Sequence, residues 1–149
     1  MKKLLYIAVV LAGLVAFASC SKEVQGDELT GAWQLVETTG AQLGQGDAVY
    51  VEFVAGGSFS IWQKLGTTSY RLYKGSYTLV DGVMSGVYDN GVPMESTYNV
   101  ERSGNSLKLL PEGNAEAMHI YAALPAIPEE VLGNAYPATK SAADYAPFL

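Results

Sequence analysis

From residue 31 onward the chain alternates apolar and polar residues in short runs, and glycine-bearing turns separate the runs. Residues 31–38 place Trp33 and Leu35 on one face of a first strand. Residues 49–54 and 58–65 follow, joined through Ala55-Gly56-Gly57. A three-residue loop with glycine in the left-handed position sets Phe53 opposite Phe59, Val51 opposite Ile61 and Tyr50 opposite Trp62. Reading Gly66-Thr67 as a two-residue turn then puts Ile61 against Leu72 and Trp62 against Arg71.

The chain is organised around residues 70–100, where Asp81-Gly82 and Asn90-Gly91 sit between β-branched and aromatic runs and supply the positive φ that tight hairpins need. A turn at Asp81-Gly82 pairs Val80 with Val83, Leu79 with Met84, Tyr77 with Gly86 and Gly75 with Tyr88. Each bare glycine then lies across from a ring able to cover it. The apolar phase of this long strand slips between Leu72 and Tyr73, which predicts a bulge near Lys74-Gly75. Pro93 ends the next loop. Residues 94–102, 106–110 and 116–124 complete the pattern, with Gly104-Asn105 setting Val100 against Leu109.

The count is eight short antiparallel strands, with no helical stretch long enough for a parallel crossover. An open meander leaves two unpaired edges and closure removes them, so the pattern predicts an all-β, antiparallel, up-and-down eight-stranded barrel. Pro128-Glu129-Glu130 then predicts a short helical turn that Gly133 can end. The alanine-rich remainder reads as a tail that lies over the wall or one mouth, or is partly loose.

Composition changes this picture mainly at the front. Lys2 and Lys3 precede an uncharged apolar run, residues 4–17, too short to span a bilayer as a helix, and Ala18-Ser19-Cys20 follows at once. Phe17-Ala18-Ser19-Cys20 resembles the lipobox of bacterial lipoproteins, which implies cleavage before Cys20 and lipidation of that residue. The organisation expected is a signal peptide at 1–19, a lipidated tether at 20–28, the barrel at 29–124, and a short helix and tail at 125–149. Losing Lys2 and Lys3 takes the net charge from −6 to −8, since no acid leaves with them. Such a surface repels nucleic acid and anionic headgroups, so acyl chains rather than basic patches would hold the protein to the membrane. Cys20 is the single cysteine, so lipidation leaves no thiol for other chemistry.

Gly31-Ala32-Trp33 opening an eight-stranded meander resembles the Gly-x-Trp signature of lipocalins, in which the tryptophan closes one barrel end. With Cys20 the chain is similar to lipocalin-like lipoproteins of the Bacteroidetes, and Ser21-Lys22-Glu23 resembles the polar export signals of their surface members. That implies the cell envelope, as an outer-membrane lipoprotein on its periplasmic or surface-exposed face. The sequence departs from lipocalins in having no Thr-Asp-Tyr in its middle and no arginine after the last strand.

Chemistry is sparse. His119 is the only histidine, without cysteine or carboxylates at metal-ligand spacing, and reads as a hydrogen-bonded structural residue. Asp27-Glu28 and Glu129-Glu130 are explained by the tether and the helix start. No serine elbow accompanies the histidine, so neither an enzyme, a metal nor a cofactor is expected. The ten tyrosines are more telling. If one strand face lines a hollow behind Trp33, then Val51, Phe53, Phe59, Ile61, Leu72, Tyr77, Tyr98, Val100 and Leu109 form an apolar cup for one small ligand. If the bore is solid, Tyr50, Trp62 and Arg71 form a row on the other face, a candidate patch for a protein partner in the envelope.

Overall fold

The computed structural model describes residues 29–114, 116–138 and 145–149. The expected signal peptide, Cys20 and the tether through residue 28 lie outside the described residues. Among the described residues nine strands form: β1 (Gly31–Thr38), β2 (Ala48–Val54), β3 (Ser58–Lys64), β4 (Tyr70–Val80), β5 (Val83–Tyr88), β6 (Tyr98–Ser103), β7 (Ser106–Pro111), β8 (His119–Leu124) and β9 (Ala135–Pro137), with a helical turn, α1 (Glu129–Leu132), before β9. Each of β1 to β7 pairs antiparallel with its successor, and β1 pairs with β8 from Ala32↔Leu124 to Thr38↔His119. The meander therefore closes into an eight-stranded up-and-down barrel, and closure removes the sheet edges.

Local chemistry accounts for most of the registers. Asp81 (φ 51°) and Gly82 (φ 78°) both take the left-handed region, and β4 and β5 pair as their two-residue turn requires, through Gly75↔Tyr88. The Phe53↔Phe59, Val51↔Ile61, Tyr50↔Trp62 and Val100↔Leu109 pairs form as expected. The glycines are covered differently from expectation. Phe59 lies across Gly75 from the β3 side, and the Met94 side chain covers Gly86.

Two sequence-based expectations are corrected. Residues 65–69 make a longer connection than a Gly66-Thr67 turn, so β3 and β4 pair as Ile61↔Tyr73, Trp62↔Leu72 and Gln63↔Arg71. That one-residue difference exchanges the faces of Leu72 and Arg71. Nor is there a bulge at Lys74-Gly75, because β4 keeps a single register with each neighbour. The apolar phase changes because the first part of β4 is covered on its outer face as well. Tyr70 and Leu72 pack there with Ala32, Tyr50, Trp62, Ile127 and Val131, the last two carried by α1 and the residues before it. The register shift lies instead in β1, between Leu35 and Glu37 opposite β8.

Strand β9, which the alternation did not indicate, pairs parallel with Tyr70–Leu72 of β4 through Ala135, Tyr136 and Pro137. It extends the edge of β4 that β5 occupies further along.

Candidate functional site

The barrel has two chemically different ends. At one, Trp33 is buried on β1, donates its indole N–H to the Leu29 carbonyl at 2.8 Å, and carries the Arg102 guanidinium 5.1 Å above its ring. Arg102 belongs to the end of β6, in phase with Tyr98 and Val100.

Between the ends the bore is filled. Val51, Phe53, Phe59, Ile61, Leu107 and Leu109 are at most 1% exposed, and a void wide enough for water would leave its walls open to it. Phe53 meets Tyr77 edge-on at 5.0 Å and Phe59 meets Tyr88 edge-on at 5.4 Å. Of the expected cup residues, Trp33, Val51, Phe53, Phe59, Ile61, Tyr77, Tyr98 and Leu109 therefore face inward but pack on one another, with Val100 partly buried beside them. Leu72 is on the outer wall. The row of Tyr50, Trp62 and Arg71 does not form as an open patch, because Tyr50 and Trp62 are covered by Ile127 and Val131 and Arg71 has moved to the inner face at the rim.

At the other end, the mouth, residues 145–149 of the same chain are seated in the barrel. Leu149 is fully buried in the main core. Phe148 packs edge-on against His119 at 4.8 Å, and Tyr145 packs edge-on against Tyr73 at 5.0 Å and Tyr88 at 5.6 Å. Gln63, buried at the inward end of β3, donates its amide N–H to the Ala146 carbonyl at 2.8 Å and accepts the Phe148 N–H at 2.7 Å. The Tyr88 hydroxyl donates to the Leu149 backbone oxygen. Arg71 stands at the rim beside Gln63 and Ala146. A cleft of about 380 Å³ remains alongside, lined by Leu65, Tyr98, His119, Phe148 and Glu95 among others.

The electrostatics suit neutral groups. Burial lowers the pKa of His119, whose Nδ1 shares a hydrogen bond of 2.8 Å with the Thr38 hydroxyl. Burial first, and Glu95 second, push the Tyr98 hydroxyl up to about 12. Burial likewise raises Tyr88 and Tyr121. The Tyr121 hydroxyl has no hydrogen-bond partner among the described residues. A second hollow, of about 800 Å³, lies between the Asp81-Gly82 turn and Pro111-Glu112. It is wide open and its apolar lining is limited to Val100, Leu110 and Pro111, so it offers a ligand far less burial than the mouth.

The hydrogen bond expected of His119 forms, with Thr38, and one mouth is among the places expected for the tail, whereas Gln63 and Tyr88 were not expected at the site. Gln63 was visible as an amide in phase with Phe59 and Ile61, a polar break in an inward face. Nothing local marked residues 145–149, since their partners Gln63, Tyr73, Tyr88 and His119 all lie far earlier in the chain. The fold defines a closed antiparallel barrel with a self-filled mouth. The sequence matches no protein-family model and no curated protein.

Proposed function

We propose that the mature chain is a membrane-anchored, lipocalin-like lipoprotein of the bacterial envelope that binds a small, largely apolar or aromatic ligand at the barrel mouth, without catalysis. The observation that carries this reading is the seat at the mouth. Rings from Tyr73, Tyr88 and His119 supply apolar contact, and Gln63 and Tyr88 supply a few placed hydrogen bonds. Ligand sites generally have that composition. The non-catalytic reading draws on His119, which bonds Thr38 and packs on Phe148 in a way that positions its ring rather than moves a proton.

The anchor rests on Phe17-Ala18-Ser19-Cys20 and on the acidic surface, which would need acyl chains to stay at a membrane. Native mass spectrometry of the protein purified from its own host tests the ligand: a co-purifying small molecule supports the reading, and an apo mass with a co-purifying protein removes it. Replacing Cys20 with serine should shift the protein from the membrane to the soluble fraction, and continued sedimentation with membranes would refute the anchor. The filled bore favours a second reading, an envelope protein-interaction module serving as inhibitor or accessory subunit, and that apo outcome would select it.

A further inference from the structure

Gln63 makes an unusual demand on whatever fills the mouth. It lies in the inward phase of β3 with Phe59 and Ile61, and only 6% of it is exposed. A buried amide is costly unless both its donor and its acceptor are engaged. The tail meets both requirements with main-chain groups: the carbonyl of Ala146 takes the amide N–H, and the N–H of Phe148 gives to the amide oxygen. Pro147 between them has no N–H to leave unpaired. Tyr88 then takes the next backbone oxygen, that of Leu149. Five consecutive residues thus make three backbone contacts, and place one aromatic ring on His119 and one aliphatic side chain fully in the core. Backbone bonds for affinity with side-chain slots for selection are how peptide segments are recognised.

Building on the reading of the mouth as a ligand seat, we propose that it is a peptide-binding site for an extended, uncharged segment bearing an aromatic–aliphatic pair, which residues 145–149 fill in cis. The carboxylate of Glu95 lines the cleft beside Phe148, which disfavours an acidic segment. The tethered tail acts as a built-in competitor. A short tether gives an effective concentration of roughly millimolar, and for a trans peptide of the same sequence the apparent dissociation constant then cannot fall below that value, whatever the intrinsic affinity.

The test uses the full mature chain and a fluorescein-labelled peptide with the sequence of residues 145–149, read by fluorescence anisotropy. Leu149→Asp puts a carboxylate where the tail must enter apolar surroundings and so releases it. Phe148→Asp is the second release variant, at a half-buried position, in case the first loses its fold by circular dichroism. The release variant should bind the peptide at least tenfold more tightly than wild type. Adding Gln63→Ala should cut that binding tenfold or more while an apolar dye still binds. Equal peptide binding by wild type and a folded release variant, or no binding by either, overturns the proposal. If the released mouth takes the dye but not the peptide, the peptide class is wrong and the ligand seat stands. If it takes neither, both readings fall.

Discussion

Gly75 offers the sharpest test of how the barrel is packed. It faces inward on β4, and a methyl group built there would sit 2.3 Å from the Val87 carbonyl oxygen and 2.8 Å from Cζ of Phe59. A carbon approaches a carbonyl oxygen comfortably at about 3.3 Å, so alanine demands roughly 1 Å of movement from a strand backbone on one side and a core ring on the other. Phe59 has little room to yield, since it is held edge-on by Tyr88 at 5.4 Å. Over-packing one wall costs about 1–3 kcal/mol, and two walls together should cost about 3 or more. Stiffening of the unfolded chain returns only about 0.4–1 kcal/mol. Gly75→Ala should therefore lose about 2–3 kcal/mol and lower the melting temperature by roughly 10 °C. Gly86→Ala is the internal control. There the methyl meets Cε of Met94 at 2.7 Å and Sδ at 2.8 Å, the free end of a flexible side chain, with the Ser76 carbonyl at 3.1 Å. Its cost should stay near about 1 kcal/mol. Urea and thermal unfolding followed by circular dichroism would measure both, and Gly75→Ala melting with or above Gly86→Ala would refute the packing argument.

Three further outcomes follow from the two ends and the middle of the barrel. Because burial lowers the His119 pKa, the unfolded chain takes up the proton first. The contribution of the neutral ring is complete above about pH 6.5, declines as pH falls below that, and levels off below the folded value. Wild type should accordingly lose urea resistance relative to His119→Gln between pH 7.5 and 5, and a constant difference would show that the ring is not held neutral. Tyr121→Phe removes a hydroxyl without a partner and should leave stability unchanged or raise it by up to about 1 kcal/mol, so a loss larger than that in urea unfolding would reveal a bond the hydroxyl makes. Arg102→Ala should cost about 0.5–1 kcal/mol and alter the emission of Trp33, read in a Trp62→Phe background where Trp33 is the single indole. An unchanged spectrum and melting temperature would dismiss the stack.

The sequence by itself determined most of what depends on neighbours within a hairpin, the β3–β4 register excepted. Period-two alternation placed β1, β2, β3 and β7 within a residue at each end, and Asp81-Gly82 fixed the β4–β5 register because that turn leaves one geometry open to it. The count of strands and the problem of unpaired edges implied closure, and the pairing of β1 with β8 supplies it. Alternation over-extended β6 and β8, because residues 94–97 and 116–118 keep the pattern without full strand partners.

Only the tertiary structure decided which faces mattered. A five-residue connection where two were expected carried Arg71 to the mouth and Leu72 to the outer wall, since a shift of one residue reverses every side chain of a strand. Burial of Tyr50 and Trp62 beneath Ile127 and Val131, the filling of the bore, and the seating of residues 145–149 against Gln63, Tyr88 and His119 are all contacts between segments far apart in the chain. Such contacts leave no local signature. They are set by which surfaces remain to be covered once the barrel has closed, and that is known only when all eight strands are in place.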